Sequence, residues 1–221
     1  QLNPFGPADA LPKGQGGFIP SKHKNVTLID AGLLERGQAV AYQSASNALA
    51  AVAVGLELDI PFPSISEGIS QFTGISRRLE IKGEAGGVLV IDDYAHHPRE
   101  LYACIQSVRK IYPDRKITGI FQPHLYSRTR DFADEFARSL SQLDVLILLE
   151  IYPAREAPLE GVNSRLIFDK VDLTDKVLIQ KRQLLAVLEE RQPEVLLTLG
   201  AGDIDQFVEP IVQLYGEGPA K

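Results

Sequence analysis

The chain has 221 residues, 44% of them apolar, and a formal net charge of -6. That length buries one substantial core, as one large domain or a domain with a smaller partner, while the negative balance excludes the concentrated basic face that nucleic-acid binding demands. No apolar run nears the roughly 18 residues that cross a membrane, no signal peptide opens the chain, and the single Cys104 excludes an internal disulfide, so a cytoplasmic protein with no nucleic-acid or membrane partner is the reading.

The chain starts at Gln1 and holds no methionine, so a stretch upstream is expected. Residues 1 to 24 carry Pro4, Pro7, Pro12, Pro20 and the cluster Gly14, Gly16, Gly17, an irregular lead-in expected to pack poorly. Two β-like runs, VTLI and QAVAY, predict a weakly signalled hairpin between residues 25 and 42. SASNALAAVAVG, residues 44 to 55, is small and apolar and suits a tightly packed helix ended by Gly55. A second helix follows the turn at Pro61 and Pro63, with Ser64 and Glu67 at capping-box spacing and Ile65, Ile69 and Phe72 on one face. This small helical unit stops at Gly74.

From Arg77 the pattern becomes regular. LEIKG and VLVID predict two strands joined by a turn at residues 84 to 87, and Leu101, Ile105, Val108 and Tyr112 mark a helix at 3.6-residue spacing. The strand ITGIF, a helix with Phe132, Phe136, Leu140 and Leu143 inward, the strand VLILL, a long loop, the strand KVLI, the helix RQLLAVLEER, the strand VLLTLG and a last helix complete the order. Such alternation predicts an α/β fold, a doubly wound and mostly parallel Rossmann-like sheet with helices on both faces.

Two polar loops leave predicted strand ends, where open α/β sheets place their ligands. The first, DDYAHHPRE, brings Asp92, Asp93, Tyr94, His96 and His97, with Pro98 starting a helix. The second, QPHLYSRTRDF, brings His124, Tyr126, Arg128 and Arg130 before a helix near Asp131. Each feature has a plainer reading. Adjacent carboxylates are often caps. Asp92, His96 and His97 contain zinc-ligand types, but no two-histidine helical spacing supports a metal, and none is expected. GAGDI, from Gly200, lacks the third glycine of a dinucleotide loop and follows the last strand, so it reads equally as a tight turn with Asp203 at a helix start.

SNALAAVAVG, FTGISRRLE, VIDDYAHHPRE, IFQPHLYSRTRDF, EIYPAREAPLEGV and GAGDI, in this order, resemble the carboxyl-terminal half of the bacterial Mur ligases over about residues 44 to 215. Within that family they look most like the branch that joins L-alanine to UDP-N-acetylmuramate. The resemblance implies a three-domain ATP-dependent ligase of peptidoglycan synthesis that uses ATP and Mg2+ and works through an acyl phosphate. Residues 1 to 76 would be the tail of the central ATP-binding domain, and residues 77 to 221 the carboxyl-terminal, amino-acid-binding domain. It further implies ATP contacts from Asn47, Arg78 and Asp93, and an L-alanine set of Tyr94, His96, His124 and Arg128, of which His96 and Arg128 would be catalytic.

The departures are specific. The phosphate loop and the metal-holding residues of the central domain are absent, so this chain alone is expected to be inactive. Gln43-Ser44 replaces a His-Asn pair of relatives, and Leu125 stands where many carry arginine. Two alternatives remain at this level: the paralogue that attaches a recycled peptide to the same sugar nucleotide, and a stand-alone, non-catalytic Rossmann-like binding module.

Overall fold

A computed structural model of the protein describes residues 18–19, 26–27, 41–72 and 75–216. The chain separates into two compact units, Gln1–Gly74 and Ile75–Lys221.

In the first unit, strand β1 (Phe18–Ile19) pairs antiparallel with β2 (Val26–Thr27). The expected hairpin partner QAVAY is therefore wrong where it is described: Ala41 and Tyr42 already belong to helix α1 (Ala41–Glu57). Most of the irregular lead-in lies outside the described residues, as do the side chains of Asn47 and of Gln43-Ser44. Gly55 does not end α1, which runs two residues past it. A Cβ at Gly55 would sit 2.7 Å from Ile65 Cδ1, so this glycine marks where α1 meets helix α2 (Phe62–Ser70). The Ser64–Glu67 capping box also fails, because proline just inside the start sets the first turn earlier and the N-cap is Pro61, which makes no side-chain cap bond. Phe72 falls beyond the helix and is exposed, while Ile65 and Ile69 are half-buried.

The second unit is built on six strands: β3 (Glu80–Ala85), β4 (Val88–Asp93), β5 (Ile117–Phe121), β6 (Val145–Leu149), β7 (Lys176–Ile179) and β8 (Val195–Leu199), in the order β3-β4-β8-β5-β6-β7. β3 and β4 form an antiparallel hairpin through Gly86 and Gly87, both at positive φ, and every other pairing is parallel. Strands buried on both faces read as nearly continuous apolar runs, and β4, β5 and β8 are buried along their whole length.

Alternation along each strand divides the core in two. Leu89, Ile91, Ile117, Phe121, Leu146, Leu148 and Leu197 pack with α3 (Pro98–Ile111) and with Phe136 and Leu140. Val88, Val90, Ile120, Ile147 and Leu196 pack on the other face with Leu184, Leu188, Ile211 and Tyr215. Cys104 is a core residue of the first layer, its thiol pushed well above the usual range by burial and then by Asp93.

The helix expected from near Asp131 is present, but a further helix precedes it. α4 (Tyr126–Asp131) occupies what reads as loop, and α5 (Ala133–Leu140) follows a break at Phe132, whose ψ of 20° and φ of -121° are not helical. Leu143 is buried beyond the helix end. The long loop after β6 holds the short α6 (Arg165–Phe168). α7 (Leu184–Glu189) and α8 (Val208–Gly216) each begin with a 3-10 turn.

Candidate active site

Parallel strands bring the carboxyl ends of β4, β5, β6 and β8 to one edge of the sheet, and the two polar loops meet there. The Tyr94 and His96 rings lie edge to face at 5.2 Å, His96 and His124 at 6.1 Å, and Arg128 Nη1 reaches His124 Nδ1 at 3.2 Å. The four residues expected to hold an amino acid thus form one continuous row.

The two histidines present opposite nitrogens. His96 Nδ1 lies 3.0 Å from the Tyr94 carbonyl, which can only accept, so in the neutral ring Nδ1 carries the proton and Nε2 keeps a free lone pair. His124 Nδ1 faces a guanidinium, which can only donate, so there Nδ1 accepts and Nε2 carries the hydrogen. Burial, then the charges of Arg128 and His96, hold the His124 pKa below the usual 6.5.

Because its neutral form is favoured in the fold, His124 contributes stability that is present above the unfolded value and lost as pH falls through the folded one. In a proton NMR titration His124 is expected to titrate below 6.5, and Arg128→Leu to raise its midpoint. A His124 midpoint that ignores Arg128 would contradict this pairing.

The carboxylates of the first loop turn inward. Asp92 is 1% exposed: one oxygen accepts the Thr198 hydroxyl at 2.6 Å, the other the Arg77 Nε at 3.0 Å. Asp93 accepts the backbone N–H groups of Leu79 and Ala95 at 2.8 and 2.7 Å, and burial, only partly offset by these bonds, raises its pKa. The pair are anchors that shape the loop, close to the plainer of their two readings.

His97 is the N-cap of α3. Its ring accepts from the Arg99 N–H, the Glu100 carboxylate returns to the His97 N–H, and the ring packs on Phe132 at 5.0 Å. Burial opposes the Glu100 charge, but the N–H groups of His96 and His97, the His96 ring and Arg78 hold its pKa below the usual value. With Asp92 and His97 committed elsewhere, the zinc set weighed above does not assemble, and no group of three His, Cys, Asp or Glu among the described residues is arranged to hold a metal.

Three contributors escape the sequence reading. Arg77, beside the expected Arg78, is at φ 59° and turns into the protein, bonding Asp92 and the Gly200 carbonyl (2.7 Å) and standing 5.1 Å over the Tyr94 ring. Arg78 keeps a solvent-facing head, 4.0 Å from Glu100 and 5.5 Å over the same ring. Tyr152 stacks on His124 with 5.8 Å between centroids and 17° between planes, and Glu156 bonds Ser127. YPARE follows a strand on the same sheet edge and lies in one of the motifs that carry the family resemblance, and these are the signals that pointed to it.

GAGDI reads as the tight turn. Gly200 is at φ 141° with Gln122 O 2.8 Å from where a Cβ would be, and Gln122 bridges the Asp203 carboxylate and the Ile204 N–H. Of two open cavities, of about 740 and 830 Å³, the first lies over Pro98, Tyr102 and Lys170, the second beside Tyr126, Arg165 and Arg182, and neither is lined by His96, His124 or Arg128.

A family model described as "Mur ligase, glutamate ligase domain" matches residues 77–202. A UDP-N-acetylmuramate–L-alanine ligase of Parabacteroides distasonis is 51% identical over 168 residues, 76% of this chain and 36% of that protein. One from Porphyromonas gingivalis is 52% identical over 76% of this chain and 37% of its own length, so the chain spans little more than a third of these relatives. Among solved structures, the UDP-N-acetylmuramate-alanine ligase of Thermotoga maritima superposes with a TM-score of 0.64 at 27% identity, covering 80% of this chain and 38% of that one. A murein peptide ligase of Psychrobacter arcticus gives a TM-score of 0.65 at 17% identity, covering 94% of this chain and 43% of that one, a likeness of fold.

Proposed function

The chain belongs to the Mur ligase family, and we propose that it is the carboxyl-terminal part of an ATP-dependent, cytoplasmic ligase that joins L-alanine to UDP-N-acetylmuramate in peptidoglycan synthesis. The observation that carries this reading is the row Tyr94, His96, His124 and Arg128 on one sheet edge. The names of the 51% and 52% identical relatives support alanine over a recycled peptide.

An amino acid needs its carboxylate held and its amine delivered without a proton. Arg128 presents the planar fork that grips a carboxylate in two contacts, oriented by His124. The free Nε2 of His96 accepts the proton that the amine releases as it attacks the acyl phosphate. Tyr94, His96 and His124 would border the side chain of the substrate.

On the nucleotide side, Arg78 reaches the ATP phosphates with its exposed head. Asp93, buried and bonded to Leu79 and Ala95, acts by shaping the loop from which Arg78 and Tyr94 project. Mg2+, when bound with ATP, neutralises phosphate charge, and its ligands belong to the central domain rather than to these residues.

The 221-residue chain by itself is expected to show no alanine-dependent phosphate release, because no glycine-rich phosphate loop occurs in it. The complete ligase polypeptide should make UDP-N-acetylmuramoyl-alanine. Turnover by the isolated chain would sink the first expectation, and failure of the complete protein to use alanine would sink the function.

A further inference from the structure

We propose that Glu156 is a positioning residue that sets the amino-acid clamp from a third loop, fixing Ser127 and through it the adjacent Arg128. The proposal rests on the ligase reading above for what the clamp holds, but its geometry stands without it.

Helix α4 carries Arg128 in its first turn yet lacks a cap of its own. Its N-cap is Leu125, a non-glycine residue at φ 72° with no side chain able to accept from the helix amides. The missing acceptor arrives from 29 residues away. One oxygen of Glu156 accepts the Ser127 N–H at 3.0 Å, and the other accepts the Ser127 hydroxyl. The Ser127 hydroxyl and N–H, with the Tyr126 N–H, hold the Glu156 pKa low, so it stays charged.

The same loop grips the other half of the clamp. Tyr152 donates its N–H to the Pro123 carbonyl at 2.8 Å, its carbonyl accepts the Leu125 N–H at 3.0 Å, and its ring stacks on His124. Between Tyr152 and Glu156 the chain reverses through Ala154 at φ 51°, closed by the Glu156 N–H to Pro153 carbonyl bond of 2.9 Å. A single tight turn therefore presents an aromatic face to His124 and a carboxylate to Ser127, the neighbour of Arg128. Neither Tyr152 nor Glu156 has to touch substrate for the fork of Arg128 to depend on them.

The test has two arms. In the complete ligase polypeptide, Glu156→Ala is expected to raise the KM for alanine about tenfold, with the KM for ATP within about twofold and Glu156→Gln intermediate, because glutamine retains an acceptor oxygen. Ser127→Ala should cost less than Glu156→Ala, and the double variant no more than Glu156→Ala alone, because both changes break the same link. Equal losses for alanine and ATP, or an unchanged alanine dependence, would overturn the proposal.

In the 221-residue chain, which has four histidines, imidazole NMR of Glu156→Ala should show the His124 resonances moving while those of His97 hold. An unmoved His124 would equally overturn it. Moved His124 resonances in this chain, with a complete ligase polypeptide that shows no alanine dependence at all, would retain the brace and reject the ligase reading.

Discussion

Replacing Arg128 by alanine in the complete ligase is expected to raise the KM for alanine roughly ten- to a hundredfold, the loss of one charge-assisted contact of about 1.5 to 3 kcal/mol. The effect should fall on alanine because Arg128 stands against His124 at the second loop, while the function proposed above gives the nucleotide contact to Arg78, which lies over the Tyr94 ring. Arg128→Lys should recover only part of the loss, since an ammonium cannot offer two parallel donors to a carboxylate or keep the 3.2 Å bond to His124 in the same geometry. Steady-state kinetics varying alanine and ATP separately decides it. A weakened ATP dependence with normal alanine use would mean that the two loops have exchanged roles.

The second large effect is expected at Arg77. Its guanidinium pairs with Asp92, donates to the Gly200 carbonyl at 2.7 Å, and approaches Asp205 at 3.4 Å. Removing it with Arg77→Met leaves the nearly inaccessible Asp92 carboxylate with only Thr198, and breaking a buried pair from one side costs about 3 kcal/mol or more. Arg77 is itself 18% exposed at the side chain, which keeps the expected loss toward the lower end of that range. Urea unfolding of the chain measures it. Adding Asp92→Asn should recover part of the loss by removing the stranded charge, so the two changes should be less than additive. Strict additivity, or a loss below about 0.5 kcal/mol, would show that the pair is not coupled. The same variant should disturb alanine binding through Tyr94, whose N–H donates to the Arg77 carbonyl at 2.7 Å.

Glycine-rich turns, strand runs and the proline at position 98 act on their immediate neighbours, so the alternation of strands and helices from Arg77 onward, and the placing of two histidine loops at strand ends, were determined by the sequence alone. So was the family, through DDYAHHP and QPHLYSRT. Periodicity was less able to find interruptions. Phe132, Phe136 and Leu140 keep helical spacing although Phe132 itself is the break before α5, and the polar α4, with only Thr129 buried, carries no apolar pattern that could announce it. The capping box at His97 and Glu100 was equally silent, since histidine is an uncommon cap and serves here only because its ring is held against Phe132.

What only the tertiary structure decided was which polar group of each motif faces inward. Arg77 and Arg78 are the same residue type at adjacent positions, and Arg77 is the buried one because a carbonyl 123 residues away and a carboxylate on β4 lie on its side of the loop. Asp93 became an anchor rather than an exposed acid by the same kind of distant choice, its oxygens met by amides of Leu79 and Ala95. Tyr152 and Glu156 reached His124 and Ser127 because parallel pairing sets β6 beside β5, so a loop far along the chain comes to rest against the start of α4. Local sequence specifies an element through its neighbours; the partner of a buried charge is specified by packing, which brings together groups that no spacing relates.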